Sequence, residues 1–184
     1  MKPKTDKIIV VDVEATCWPA KTDPPPGESR EIIEVGVAVI DTLKKEIRTF
    51  EGGSYIVKPI QSKVSEFCTE LTGWTQELVD MGATFYDTCK CLERIYDTKT
   101  YTWASWGNFD KQIFTDQCKN QGVDYPFSWN HINAMNLAAL KFGWKKGRGM
   151  MRALTALEIP HTGKHHNGGD DAFNIAKIIC KILW

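Results

Sequence analysis

Residues 7–14 read KIIVVDVE, and this stretch decides the fold. From Ile8 to Val11 it is β-branched and apolar on both faces, whereas a strand with one wet face would alternate. It reads as a central strand covered by helices on either side. Residues two apart on a strand share a face, so Asp12 and Glu14 point the same way from a strand that reads as buried. Two carboxylates this close do not both stay ionised without compensation. A divalent cation supplies it, and oxygen ligands suit Mg²⁺ or Mn²⁺. The alternative is a strand that ends at Val13, with both acids solvated.

Working outward, EIIEVGVAVID at 31–41 is a second strand, and 49–58 a third, with Gly52 and Gly53 marking a bulge or bend. The Pro-rich, charged segment 19–30 reads as a loop. Three such strands form an antiparallel meander. The remainder is mostly helical: 65–73, ended by Gly73, then 85–97, 108–118, 133–142, 150–159 and 171–183. In the last of these, Ala172, Ile175, Ala176, Ile179 and Leu183 share one face. A short strand at 100–105 interrupts the helices. Three leading strands followed by helices and a returning strand predict an α/β domain with a mixed sheet.

The chain has 184 residues, with 23 Lys+Arg against 23 Asp+Glu and a formal net charge of zero. That length predicts one catalytic-size domain, residues 1–184, with no room for a separate specificity or targeting domain. Hydrophobic residues at 42% and charged residues at 25% exclude a disordered or fibrous chain. Zero net charge excludes a strongly basic DNA-coating protein, though not a local basic patch. The apolar runs are too short to span a membrane, and the N-terminal MKPKTDK has no apolar signal core behind it. Cysteines at 17, 68, 89, 91, 118 and 180 therefore read as reduced thiols of a cytoplasmic protein. Cys89 and Cys91 form C-x-C, and no second Cys/His pair follows at zinc-site spacing.

Two further segments carry acids. Asp110, in SWGNFD, follows the short strand directly and falls in the first turn of a helix. An acid there is favourable in itself, but strand-to-helix junctions are also where α/β sheets place ligands. In HHNGGDDAF, Asp170 and Asp171 open the final helix, and His165 and His166 precede them across a Gly168-Gly169 loop. A histidine so placed can approach a water near a metal and act as general base near neutral pH. Asp170 can cap the helix, leaving Asp171 to face the sheet; periodicity does not decide which of each pair does which job. Four acids and a histidine are enough to hold two divalent ions for a phosphoryl displacement.

Taken in order, VDVEATC, SWGNFD and HHNGGDDAFNIAKI resemble the three motifs of the DEDDh 3′–5′ exonucleases, a family with the ribonuclease H-like fold. REIIEVGVAVID, VKPIQSKVSEFCTELTGWTQ and GMMRALTALEIPHTGKHHNGGDDAFNIAKI are similar to its Eri-like subfamily. The resemblance runs from about Lys7 to Leu183. It implies that Asp12, Glu14, Asp110 and Asp171 bind two Mg²⁺ or Mn²⁺ ions, and that His166 and Asp171, rather than His165 and Asp170, match the family's H-x-x-x-x-D. Ala15 and Thr16 would then contact the sugar of the terminal nucleotide through their backbone. Leu71, Thr72 and Trp74 would lie near the terminal bases. Trp74 stands where the family pattern has a smaller aliphatic residue, and either stacks on a base or packs in the core. Trp106 and Asn108 are further substrate contacts, and Trp18 a further candidate for the cleft wall. The stretch WKKGRGMMR, with Lys145, Lys146, Arg148 and Arg152, either guides a phosphate backbone or is a solvated turn. Glu34 reads as a partner of the site or as a buried, paired acid.

The implied activity is removal of nucleoside 5′-monophosphates from the 3′ end of single-stranded RNA, or of DNA in a trimming or proofreading role. A non-catalytic adaptor on the same scaffold would be expected to lack one of these acids or the histidine, and all are present. Two bound ions would also move the working net charge from zero to about +4, so the acids that balance the basic residues on paper would attract phosphate once metallated.

Overall fold

The computed structural model describes residues 4–20 and 22–184, with only the backbone described at 49–52. Residues 1–3 of the N-terminal segment and Lys21 of the 19–30 loop lie outside the described residues. Five strands form one sheet in the order β3-β2-β1-β4-β5. They are β1 (Lys4–Ala15), β2 (Ile32–Asp41), β3 (Glu46–Ile56), β4 (Tyr101–Ser105) and β5 (His131–Asn133). β1 runs antiparallel to β2 and parallel to β4, β3 is antiparallel to β2, and β5 is parallel to β4. The expected meander and returning strand are both present, in a mixed sheet. β1 is central, as its two-sided apolar run requires.

Seven helices complete the described chain: α1 (Glu66–Thr72), α2 (Gln76–Asp80), α3 (Phe85–Tyr96), α4 (Phe109–Gln121), α5 (Ala134–Lys141), α6 (Met150–Ala156) and α7 (Gly168–Leu183). Ile9, Val11 and Val13 of β1 join Val35, Val37, Leu92, Trp103 and Phe114 on the face covered by α3 and α4. Ile8 and Val10 join Ala38, Ile40, Ala104, Ile175 and Ile179 on the opposite face, under α5, α6 and α7. The even-numbered side chains of β1 therefore face α7. Past Val10 the same face continues as Asp12 and Glu14, where α7 begins.

That approach depends on glycine. A Cβ on Gly36 of β2 would lie 1.9 Å from the backbone carbon and oxygen of Gly168, so no larger residue lets α7 settle on the sheet there. Gly168 and Gly169 are the first residues of α7 rather than a loop, and the cap is Asn167, whose side chain accepts the Asp170 N–H at 3.1 Å. The expected Asp170 cap is thus corrected. Asn supplies a better-placed acceptor one residue before the first helical residue, and Asp170 accepts the Lys164 N–H at 2.7 Å instead.

Other boundaries shift. β3 starts at Glu46, before the expected Thr49, and its register against β2 shifts between the pairs Val37–Gly53 and Val39–Arg48. α4 continues past Cys118 to Gln121, where Gly122 adopts φ 65°. α6 ends at Ala156, short of the expected residue 159. The five-residue α2 and three-residue β5 are too short to show a periodicity in sequence. All six cysteines are free thiols. No helix of the described residues is long and apolar enough to cross a membrane.

Candidate active site

β1, α4 and α7 deliver four carboxylates to one end of the sheet. Oxygen atoms of Asp12, Glu14 and Asp171 lie within 4.8 Å of one another. Asp110 joins them from the first turn of α4, and its Oδ1 accepts the Val13 N–H at 3.1 Å. That bond locks the start of α4 to the middle of the acid pair on β1. Glu14, Asp110 and Asp171 are all buried.

Electrostatics mark the cluster as overcharged. Burial raises the Asp12 carboxyl well above its ordinary value, and the neighbouring Asp110, Glu14, Asp171 and Glu34 raise it further. Glu14 is pushed up to about 8 by burial and then by Glu34 and Asp171. Asp110 rises to about 6, again through burial, although the Val13 N–H opposes the shift. Carboxyls that resist ionisation together are stabilised by a cation among them. Asp171 Oδ1 is also buried without a hydrogen-bond partner, so the residues fit a metal ion on grounds of both charge and unmet coordination.

The loop before α7 brings the histidines in. His165 Nδ1 lies 2.8 Å from Asp171 Oδ2. The His166 backbone N–H donates to the same oxygen at 3.0 Å, and His166 Nδ1 lies 3.9 Å from Glu14 Oε1. His166 holds φ 64°, a left-handed conformation uncommon for a residue with a side chain. Burial, then the neighbouring His165, lowers its pKa, which favours the neutral, proton-accepting ring. The loop is pinned by Asp170 to Lys164 and by Asn174, whose side chain accepts the Thr162 N–H at 3.1 Å and donates to the Thr162 carbonyl at 2.8 Å.

A cleft of about 460 Å³ opens over the acids, with Ala15, Thr16, Leu71 and Trp106 in its wall. Trp106 is fixed there by its indole N–H, which donates to the Arg148 carbonyl at 3.0 Å. The Thr16 N–H is already given to the Glu31 carbonyl at 2.8 Å, so its backbone has no free donor for a sugar. Three expected substrate contacts lie off the cleft wall. Thr72 is buried and donates to the Cys68 carbonyl at 2.8 Å. Asn108 accepts from Asn133 at 3.1 Å. Trp74 packs beside Ile33, Cys68 and Val79 and donates its indole N–H to Glu34 Oε2 at 2.7 Å. Trp18 is likewise absent from the wall.

Glu34 is the residue whose role sequence left open. Fully buried, it accepts from Trp74, from the Gly168 N–H at 3.0 Å and from the Ser54 hydroxyl. It binds β2, β3, the α1–α2 loop and the start of α7 together beside Glu14, its cross-strand partner. Sequence reasoning missed Arg30 and Phe109, which also line the cleft with the guanidinium 5.8 Å from the ring centre. Phe109 adjoins Asp110 in the first turn of α4, and that adjacency was the available signal. Lys145, Lys146, Arg148 and Arg152 line a separate open groove that meets the cleft at Gly149.

Comparison with known proteins fits this geometry. A family model described as Exonuclease, of the RNase T kind, matches residues 9–179. The human protein named 3'-5' exoribonuclease 1 is 32% identical over 192 residues, covering 97% of this chain and 52% of its own length. Mouse ERI1 exoribonuclease 2 is 28% identical over 198 residues, covering 96% of this chain and 28% of its own. The chain thus spans between about a quarter and a half of these two relatives. Among solved structures, the nuclease domain of 3'hExo, described as a DEDDh family member bound to rAMP, superposes with a TM-score of 0.82 at 28% identity. The match covers 100% of this chain and 94% of that one.

Proposed function

The chain belongs to the RNase T-type exonuclease family, and from that membership we propose a metal-dependent enzyme that shortens single strands from the 3′ end, RNA in preference to DNA, releasing nucleoside 5′-monophosphates. The observation that carries this reading is the convergence of Asp12, Glu14 and Asp171, with one Asp171 oxygen buried and unpartnered. In this reading Asp12, Glu14, Asp110 and Asp171 would hold two divalent ions, Mg²⁺ or Mn²⁺. Such ions, when bound, supply Lewis-acid stabilisation of the attacking and leaving oxygens.

The chain's own residues supply the rest. His166, neutral at pH 7 through its lowered pKa, takes the proton of the attacking water. Its backbone N–H and the His165 ring hold Asp171 Oδ2, leaving Oδ1 without a hydrogen-bond partner. Ala15, Leu71, Trp106, Arg30 and Phe109 form the walls that receive the terminal nucleotide. Unstacked bases of a single strand fit such walls, whereas a paired end must first open. The RNA preference rests on the relatives named exoribonucleases.

The test is digestion of 5′-labelled RNA, DNA and duplex oligonucleotides in parallel with Mg²⁺ or Mn²⁺. A ladder shortening stepwise from the 3′ end, faster on single-stranded RNA, is expected. No shortening of any substrate would overturn the proposal, and a faster DNA ladder would overturn the choice of sugar.

A further inference from the structure

Two grooves adjoin the cleft. One shares Arg30 and Phe109 with it and follows α4 as far as Lys119 and Gly122. The other shares Gly149 and holds Lys145, Lys146, Arg148 and Arg152. When a terminal nucleotide is held in the cleft, the nucleotides on its 5′ side need a way out, and the two grooves offer different ones.

Their charges decide between them. In the groove along α4, Arg30 and Lys119 are matched by Glu31 and Asp116. The other groove holds four cations and no acid. All four are exposed, and none forms an ion pair with a described residue. A solvated turn has no need to exclude acids, yet this groove does so in a chain with 23 residues of each sign. Unspent cations in a row attract a phosphate backbone by releasing its counterions.

One of the cations is already set in place. The Arg148 guanidinium lies 4.5 Å from the centre of the Trp144 ring, within cation–π range. A guanidinium laid on a ring keeps its edge donors, and these can take a phosphate two at a time. The Arg148 carbonyl accepts the Trp106 indole N–H at 3.0 Å, so one residue joins the groove to the cleft wall. At their junction, a Cβ built on Gly149 meets nothing within 4 Å, so no neighbouring atom closes the passage.

We propose that this groove is the track for the strand upstream of the terminal nucleotide, with Lys145, Lys146, Arg148 and Arg152 holding its phosphates. The track makes the protein favour strands over very short substrates. It rests on the exonuclease reading for its direction, because the cleft end is the 3′ end, but its binding of a single strand does not need hydrolysis.

Binding is measured on the full chain with chelator present, so that nothing is cut, from the anisotropy of labelled oligouridylates of two and ten nucleotides. The ten-mer should bind more tightly, and increasingly so as salt is lowered. Lys145→Gln/Lys146→Gln/Arg152→Gln should weaken the ten-mer by about tenfold or more and flatten its log–log salt slope by about 2, with the dinucleotide unmoved. If that variant is shown by circular dichroism to be unfolded, Lys145→Gln/Lys146→Gln decides, with a slope change of about 1.4. Lys119→Gln, in the charge-balanced groove, should change neither. Turnover with Mg²⁺ should show KM for the ten-mer raised by a similar factor and kcat kept. The p-nitrophenyl ester of uridine 5′-phosphate, which has no upstream nucleotide, should keep its KM.

Unchanged ten-mer affinity and slope in the folded groove variant would overturn the track. So would an equal loss on the ester, or a loss produced by Lys119→Gln alone. A chain that cuts no nucleic acid with Mg²⁺ or Mn²⁺, yet binds the ten-mer through these cations, would overturn the exonuclease reading and leave the groove as a single-strand site.

Discussion

Asp12 sits at the centre of the acid cluster, and four neighbouring carboxyls each push its proton affinity upward. Asp12→Ala removes charge where charge is in excess. It should lower hydrolysis by about a thousandfold or more, since residues acting as one unit fail together. The melting temperature of the metal-free protein should not fall. A large loss of both activity and stability would instead make Asp12 a structural acid. The shared face of this residue with Glu14 was readable from their alternation on an apolar strand. Glu34 was not readable in the same way. A buried acid on a strand has no signature until its three donors, drawn from segments far apart in sequence, are seen around it. Trp74 shows the same limit: stacking and packing were both open in sequence, and only the Glu34 contact shows where its indole N–H goes. Trp74→Phe keeps the ring but leaves Glu34 Oε2 one donor short, which should cost about 1–3 kcal/mol in urea denaturation.

At the scale of elements, the site is a joint between β1, α4 and α7, and two contacts set it. One is the Val13 N–H on Asp110, and the other the glycine contact between β2 and α7. Gly36→Ala should cost about 1–3 kcal/mol, the usual penalty for overpacking. Because α7 carries Asp171, the same variant should weaken Mg²⁺ binding measured calorimetrically; normal Mg²⁺ affinity at reduced stability would separate packing from the site. The long elements were legible because their periodicities are long: β1, β2, α3 and α7 each repeat an apolar face several times. Where α7 starts was not, because Gly168 and Gly169 read as a loop when their reason for being glycine lies across the space between helix and sheet. Likewise Asn108 and Thr72 lay next to motif residues in sequence, and only the fold shows that Asn133 and Cys68 engage their side chains.

Across the whole molecule, the raised acids make stability depend on pH with a definite sign. A carboxyl whose folded pKa exceeds its unfolded value stabilises the fold while protonated, and that contribution is lost as pH rises. For Glu14 the window runs from 4.5 to about 8, and for Asp110 from 3.8 to about 6. Asp41, held low chiefly by the Lys44 N–H and Arg48, acts oppositely, and its effect lies below 3.8. Metal-free protein should therefore melt at progressively lower temperature from about pH 5 to pH 8, and Mg²⁺ should restore most of the loss at pH 8. A flat profile with chelator present would contradict the assignment of these acids. Elsewhere, two acidic oxygens near the cleft are already engaged: Asp110 Oδ1 by one backbone N–H, and Asp171 Oδ2 by another plus a histidine ring. Asp171 therefore keeps one oxygen, Oδ1, free of hydrogen bonds. Ca²⁺ asks for six to eight oxygens, often two from one carboxylate, whereas Mg²⁺ is content with few protein ligands and keeps several of its own waters. In the two-ion proposal, a pocket so sparing with its oxygens would discriminate by hydration, favouring the ion that arrives still wearing most of its water.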